Sequence, residues 1–431
     1  MKARFITTFA KQPRIALAYM LIAIFLILFI TACSPAEVEP TPEALTESEA
    51  DPEESIPAEP VYTIQWDDEI QITVTSKPSI FPSLAVSGNT VNMVWIDLRH
   101  GPQSQEVYYS QSADSGETWL ASEIRISNDP ASSIRSSLVV QDNLVNLFWR
   151  DNRDGNFELY TCQSSDGGNT WGSETRLTED AGYTGCPFPT ISENVVTVFF
   201  RDDRLNTFKI HQKRSLDGGA TWGEDILLSE EGINAEFPYP AVVGETIHLV
   251  WRDNRDGNAE VYYKRSFDGG EKWNSDERLT NDPAESEHPK VAAWDNNIIV
   301  VWRDNRNGKY EIFHMISTDA GANFSEAKAL VESDGDCFWP TPYYLGGLLH
   351  LIWAESSEGE TFLNHFYSAD DGNSWSEAAR LDNCNLPFDA GVMSAHPIVV
   401  LGNYIHIAYN DNRSGENEIY YIRGKINTDN E

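Results

Sequence analysis

Eight residues, SSDGGNTW at 164–171, recur along this chain, and that recurrence limits its fold more than any other feature. Close copies read SADSGETW at 112–119, SLDGGATW at 215–222, SFDGGEKW at 266–273, STDAGANF at 317–324 and SADDGNSW at 368–375. Their aspartates are Asp114, Asp166, Asp217, Asp268, Asp319 and Asp370, spaced by 52 residues once and by 51 thereafter. A second motif runs in phase: VWIDLRHG at 94, FWRDNRDG at 148, FFRDDRLN at 199, VWRDNRDG at 250, VWRDNRNG at 301, IWAESSEG at 352 and AYNDNRSG at 408. Between the motifs apolar and polar residues alternate, as in VNLFW and EVYY, which is the periodicity of strands. One unit therefore reads as four strands: SLVVQ, LVNLFWRD, FELYTCQS and WGSETRLT, joined by turns at NRDGN and SDGGNT. Four-strand units repeating about every 50 residues point to a β-propeller.

Seven copies of the second motif against six of the first leave one blade short of a strand. The N-terminal stretch supplies it, since WDDEIQIT at 66–73 aligns with WGSETRLT at 171–178. The chain thus enters on a fourth strand and leaves after a third, NEIYYIRG at 417–424, and the two should pair to close the ring. The expectation is an all-β, seven-bladed propeller over 62–426, with 427–431 as a tail and a six-bladed ring as the alternative.

The Ser-x-Asp-x-Gly-x-Thr-Trp pattern resembles the Asp box of sialidases and related propellers, over residues 66–424. Within the box, Asp166 can accept backbone N–H groups across a tight turn, Gly168 permits positive φ, and Trp171 can close over the hairpin. In an up-and-down blade the boxes are 3–4 turns, opposite the face where sialidases bind sugar, so they read as structural. The resemblance implies an Arg-Ile-Pro motif on the first blade, but SIFPSL at 79–84 puts Ile80 where the arginine belongs. Arg135, in SIRSSL, stands one position off that register and is a substitute. The family's Tyr–Glu nucleophile pair and Asp acid/base cannot be placed by motif.

The binding face should carry the second-motif turns and the 4–1 connections. Arg150, Arg201, Arg252 and Arg303 recur there, each followed by an aspartate and able either to hold a carboxylate bidentately or to pair with a nearby aspartate and brace its own hairpin. Departures from the repeat are the better pointers to a site. Two of the 13 tryptophans are off pattern: Trp294, read in a 1–2 turn, and Trp339, read in a 4–1 connection. On the blade of Trp339 the arginine motif breaks to Ala354 and Glu355, so Trp339, Tyr343 and Glu355 can form an aromatic platform with a carboxylate, or simply pack with Phe338. Glu355 and Tyr343 are the candidate catalytic groups. His288 and His396, each before a proline, read as turn-stabilising. DNRDGN has the flavour of a calcium loop, but Arg153 stands where a ligand should, so no metal and no cofactor is expected.

The N-terminus sets the location. Lys2, Arg4, Lys11 and Arg14 precede the apolar run IALAYMLIAIFLILFI, which ends in Ile30-Thr31-Ala32-Cys33. This resembles a bacterial lipoprotein signal over 1–33, with Cys33 lipidated; a plain membrane anchor is the other reading. Residues 34–60 hold nine Asp or Glu and no Lys or Arg, and read as a proline-rich, disordered spacer. The formal charge of −36 argues against nucleic acid as partner. An extracytoplasmic setting allows disulfides, with Cys337 and Cys384 as the candidate pair. Together these readings describe a monomeric, lipid-anchored propeller that binds glycan or protein on the face opposite the boxes, or else a sialidase-type exo-glycosidase with a displaced arginine cluster.

Overall fold

The computed structural model describes residues 62–230, 234–357, 360–381 and 398–428. Cys33, Cys384, His396, the signal and the acidic spacer lie outside the described residues. Among the described residues there is no helix. The strands form seven antiparallel sheets, each one blade, which removes the six-bladed alternative. Blade 2 is typical: Ser133–Gln141, Leu144–Asp151, Glu158–Ser164 and Thr175–Arg176 in sequential order. Blades 1, 3, 4, 5 and 6 begin on Ser79–Ser87, Phe188–Ser192, Ala235–Val243, Ser286–Trp294 and Asp336–Leu345. These first strands touch their neighbours in succession, and the first strand of blade 7, Ile398–Leu401, touches Ser79–Ser87. The ring is closed.

Closure uses both termini. Tyr62–Trp66 and Ile70–Gln71 both pair with Glu418–Thr428, giving blade 7 a fifth strand. The last strand runs past residue 426, with Tyr62 opposite Thr428. Trp66 packs edge-on against His365 of blade 6, 6.0 Å between centroids. Other blades repeat the contact. Trp119, Trp171, Trp222, Trp273 and Phe324 each meet an aromatic of the preceding blade edge-on: Tyr421, Tyr109, Phe148, Phe199 and Tyr263. These tryptophans are half-buried, so each removes less than the roughly 150–250 Å² of a fully buried one, whose roughly 4–6 kcal/mol at about 25 cal/mol/Å² is an upper limit.

The Asp box works as a turn clamp. Asp166 accepts from Ser164 Oγ at 2.8 Å, Thr170 N at 2.8 Å and Thr170 Oγ1 at 2.6 Å. These hydrogen bonds hold its carboxyl down at about 2. The N–H of Gly167 reaches Asn143 O, so box and 1–2 turn share one face. The first strands start on the other face, where Ser133 N bonds Gln105 O of the preceding blade's 2–3 turn.

Three local expectations are corrected. Fourth strands are two to four residues long, not eight, because the chain leaves the box tryptophan on the outer edge and pairs with strand 3 only briefly; short edge strands also resist association. Trp294 ends the first strand of blade 5 rather than lying in a turn; it is buried, stacked on Tyr344 at 4.3 Å, and donates to Asp371 Oδ1 at 2.9 Å. Trp339 and His288 likewise belong to first strands, which start earlier than their alternation suggests because a bulge interrupts it.

Candidate functional site

That bulge builds the binding face. In blades 1, 2, 4, 5 and 6 the pairing of strands 1 and 2 slips, between Ile80 and Ser83 and at the matching places. The residue at the slip has positive φ in each: Phe81 58°, Arg135 57°, Phe237 55°, His288 51° and Trp339 51°. Left-handed backbone on bulky residues is strained and gathers at functional positions. Here it turns one side chain per blade out of the ladder at the mouth of the axis. Adjacent ones touch: Arg135 lies 4.2 Å over the Phe81 ring, and Phe237 and His288 are 4.8 Å apart. All five are half-buried, as is Cys186 at the matching point of blade 3.

Outside this ring stand the second-strand arginines, and the aspartates that follow them are not their partners. Those aspartates hold the start of strand 1: Ser133 Oγ to Asp151 at 2.6 Å, Ser286 Oγ to Asp304 at 2.9 Å. They also hold the second arginine of the motif, as Arg153 on Asp151 at 2.7 Å and Arg306 on Asp304 at 2.6 Å. Arg153 reaches on to Glu174, tying the turn to the stretch that enters strand 4.

Arg201, Arg252 and Arg303 pair instead with glutamates of the first strands. Glu236 takes Arg201 and Arg252, the latter at 2.7 Å. Glu287 takes Arg303 at 2.6 Å and faces Arg252 at 3.7 Å. The register explains the pairs, since Glu236 lies opposite Arg252 and Glu287 opposite Arg303. The result is an alternating chain of three cations and two anions across blades 3 to 5.

Arg150 breaks the alternation. The residue opposite it is Ile134, and the matching position of blade 3 is Gly185, where a Cβ would lie 2.4 Å from Arg201 Cγ. No carboxylate occupies either place. Arg150 is 8 % exposed, with Nε and Nη1 buried and unbonded. It sits between the rings of Phe157 at 4.8 Å and Tyr183 at 4.9 Å. Burial pulls its guanidinium down to about 10; Cys186 opposes that, while Arg135 and Arg201 add to it. A buried cation repelled by two others is costly unless an anion meets it. Arginine stacked on aromatics, with donors left over, is built for a planar oxyanion.

Trp339 shares its rim with Phe338 at 5.5 Å, over the core formed with Ile398 and Val400. Tyr343 lies deeper in the same core, its hydroxyl pushed up by burial. Glu355 bonds Ser333 and, at 3.1 Å, Asn364 Nδ2. The described contacts do not join Glu355 to Tyr343. Sequence reasoning missed Glu236, Glu287, Phe157 and Tyr183; a Glu two residues before Pro in EFP and EHP was the available signal for the first two. Cavities of about 90 and 500 Å³ open on the Asp-box side, lined by Arg214 and Asp268, and by Trp171 and Gly219. Arg214 forms no ion pair among the described residues and its Nε is buried and unbonded, but it is a single arginine outside the alternating series of the other face.

No protein-family model matches this sequence, and no curated protein matches it. Solved structures do share its fold. The polysaccharide lyase Uly1 superposes with a TM-score of 0.56 at 10 % identity, covering 84 % of this chain and 99 % of its own. A family PL25 ulvan lyase bound to -[GlcA(1-4)Rha3S]- gives 0.55 at 9 %, covering 81 % and 93 %. Phage phi92 endosialidase gives 0.51 at 11 %, covering 83 % and 69 %. The chain is similar in fold to propellers that include a sialidase and polysaccharide lyases.

Proposed function

We propose that this protein is an extracytoplasmic, lipid-anchored propeller that binds an acidic glycan on the face opposite its Asp boxes. Arg150 carries the reading: it is the buried arginine of the series left without a carboxylate, and it is flanked by aromatic faces and by Arg135. A uronate or sulfate group would fill the vacant place in the alternation. Phe81, Phe237 and Trp339 would offer apolar faces to sugar rings. The ulvan lyase complex places GlcA and Rha3S units on the same fold, which is compatible with the reading but does not carry it.

Calorimetry of the purified protein with acidic and neutral oligosaccharides of equal length tests this. Binding of the acidic series, weakened tenfold or more in Arg150→Gln, is expected, because a charge-assisted hydrogen bond is worth about 1.5–3 kcal/mol. Equal binding of both series, or no effect of the substitution, would sink the proposal. The exo-glycosidase alternative is tested by turnover of a fluorogenic sialoside with an Arg135→Ala control. Glu236 and Glu287 are engaged by arginines, whereas Glu355 bonds Ser333 and Asn364 and is the carboxylate that this assay tests.

A further inference from the structure

A second cation lacks an anion, on the axis rather than the rim. Lys290 follows the bulge of blade 5 and is 9 % exposed. Its Nζ donates to Thr341 Oγ1 of blade 6 at 2.8 Å and lies 5.2 Å from the Tyr239 ring of blade 4. An ammonium carries three donors, and one is used. No carboxylate among the described residues forms an ion pair with it, and burial alone pulls it down, to about 7.

The register shows what this position is. Lys290 opposite Val301, Tyr239 opposite Val250 and Thr341 opposite Ile352 are each the first pair after a bulge. Ser83 and Ser137 hold the same place in blades 1 and 2. Tyr239, Lys290 and Thr341 touch across blades 4 to 6, and Phe188 and Ile398 hold the same place in blades 3 and 7, so the layer is part polar and part apolar. Ser83 Oγ in that layer is buried and unbonded. Taking an ammonium out of water without a counter-charge is expensive, and N–H groups beyond the one bonded to Thr341 are the complement of an anion.

We propose that this layer is an anion site, with Lys290 as its cation and a small monovalent anion as its ligand. The anion accepts from the free N–H groups of Nζ and restores full charge to the amine. Other titratable groups nearby do not compete. Tyr239 and Tyr343 are both pushed up by burial, and His288 is held neutral down to about 3, also by burial. Glu287 is engaged by Arg303 and Arg252. The source of the anion is a halide or carboxylate of the medium, or a carboxylate of a ligand entering from the rim.

Bromide supplies the test. Crystals of the protein grown near pH 6 and soaked in sodium bromide should show an anomalous peak within hydrogen-bond distance of Nζ, lost in Lys290→Met. In solution, the wild-type Tm should rise with bromide or acetate at fixed ionic strength, while Lys290→Met does not respond. The apparent Kd should weaken about 30-fold from pH 6 to 8.5 as the amine deprotonates. Arg150→Gln should keep the halide response, so this site and the acidic-glycan reading fail separately. A response to acidic oligosaccharide alone, lost in Lys290→Met, supports the site with the ligand's carboxylate as its anion. No bromide at Nζ and an equal Tm response of wild type and Lys290→Met would overturn it. Should that variant fail to fold, the wild-type peak decides.

Discussion

Replacing Gly168 by alanine should loosen the joint between two blades, and the geometry sets the size of the loss. Gly168 has φ +89°, and a Cβ there would lie 2.1 Å from Tyr109 Oη and 2.7 Å from Cζ. Tyr109 belongs to the preceding blade, is fully buried, and its hydroxyl donates to Asn92 Oδ1 at 2.5 Å. Two costs add: backbone strain of about 1–2 kcal/mol for a left-handed alanine and about 1–3 kcal/mol for overpacking a fixed neighbour. Gly155→Ala separates them, because Gly155 has φ +105° and nothing within 4 Å of its would-be Cβ. It should cost the strain alone. Guanidinium unfolding followed by tryptophan fluorescence should show Gly168→Ala losing about 2–5 kcal/mol and Gly155→Ala about 1–2. Tyr109→Phe strands the Asn92 carbonyl and costs about 1–3 kcal/mol by itself, but it removes the nearest clashing atom. The double variant should therefore be more stable than additivity allows, by about 1–2 kcal/mol. Equal losses at the two glycines, or strict additivity with Tyr109→Phe, would refute the claim that the box glycine exists to admit the neighbouring blade's tyrosine.

Acid should weaken the ring early. His211, His248, His350 and His406 are each pulled down to about 4 by burial, against about 6.5 in the unfolded chain. Their folded pKa values are depressed and the neutral form is the native one, so stability is full above pH 6.5 and lost as pH falls toward 4. Each should cost on the order of 1–2 kcal/mol at pH 5 by linkage, and guanidinium midpoints at pH 7 and pH 5 check it; equal midpoints would refute it. The box carboxyls titrate lower, with Asp114, Asp166, Asp217 and Asp319 held at about 2, so carboxyl NMR should find them ionised at pH 3. Thiol labelling should separate the cysteines: Cys337 and Cys162 are buried and pushed up to about 12 and 11 by burial, and should resist iodoacetamide at pH 8. Half-buried Cys186 should react, and acidic oligosaccharide should slow it if Arg150 is the contact.

The blade count and the ring closure were readable because they depend on recurrence: a box aspartate in six blades and an aromatic at the end of all seven second strands. Trp66 aligned with Trp171 because both meet the same demand, an aromatic edge against the previous blade. The partners of the arginines were not readable in that way. Alternation dates the start of strand 1 after the bulge, at Ser137 in blade 2, and so hides the residues before it. Once pairing is known to resume beyond the slip, Glu236 falls opposite Arg252 and Glu287 opposite Arg303. Sequence distance misled as well: each arginine precedes an aspartate, yet a strand directs successive side chains to opposite faces, so adjacent residues cannot pair within the ladder. The dipeptides Phe81-Pro82, Phe237-Pro238, His288-Pro289 and Trp339-Pro340 marked the bulge, but a proline signals irregularity without revealing positive φ before it.

A ring of equivalent blades has no reason to bind an asymmetric molecule in one orientation, so a specific site must arise where equivalence is broken. On the Asp-box face the breaks are mostly conservative: Phe324 stands for tryptophan, and Asn323 keeps the bond that Thr170 makes to its aspartate, at 2.7 Å, while Lys272 keeps only the backbone bond to Asp268. On the other face they change charge. Glu gives way to Ile134 and Gly185, arginine to Ala354, and a hydroxyl to Lys290. Ala354 meets Phe338 and leaves no charge, but the changes at Ile134, Gly185 and Lys290 leave cations unmatched beside the paired chain of Arg201, Glu236, Arg252, Glu287 and Arg303. Stability does not account for the unpaired Arg150 and Lys290, since a paired or apolar residue in either place would cost less. Restoring the match tests that argument: Ile134→Glu should pair with Arg150 across the strands, raise Tm, and abolish acidic-glycan binding while leaving the halide response of Lys290 intact. A gain in stability with undiminished binding would mean that the unmatched arginine serves the fold and not a ligand.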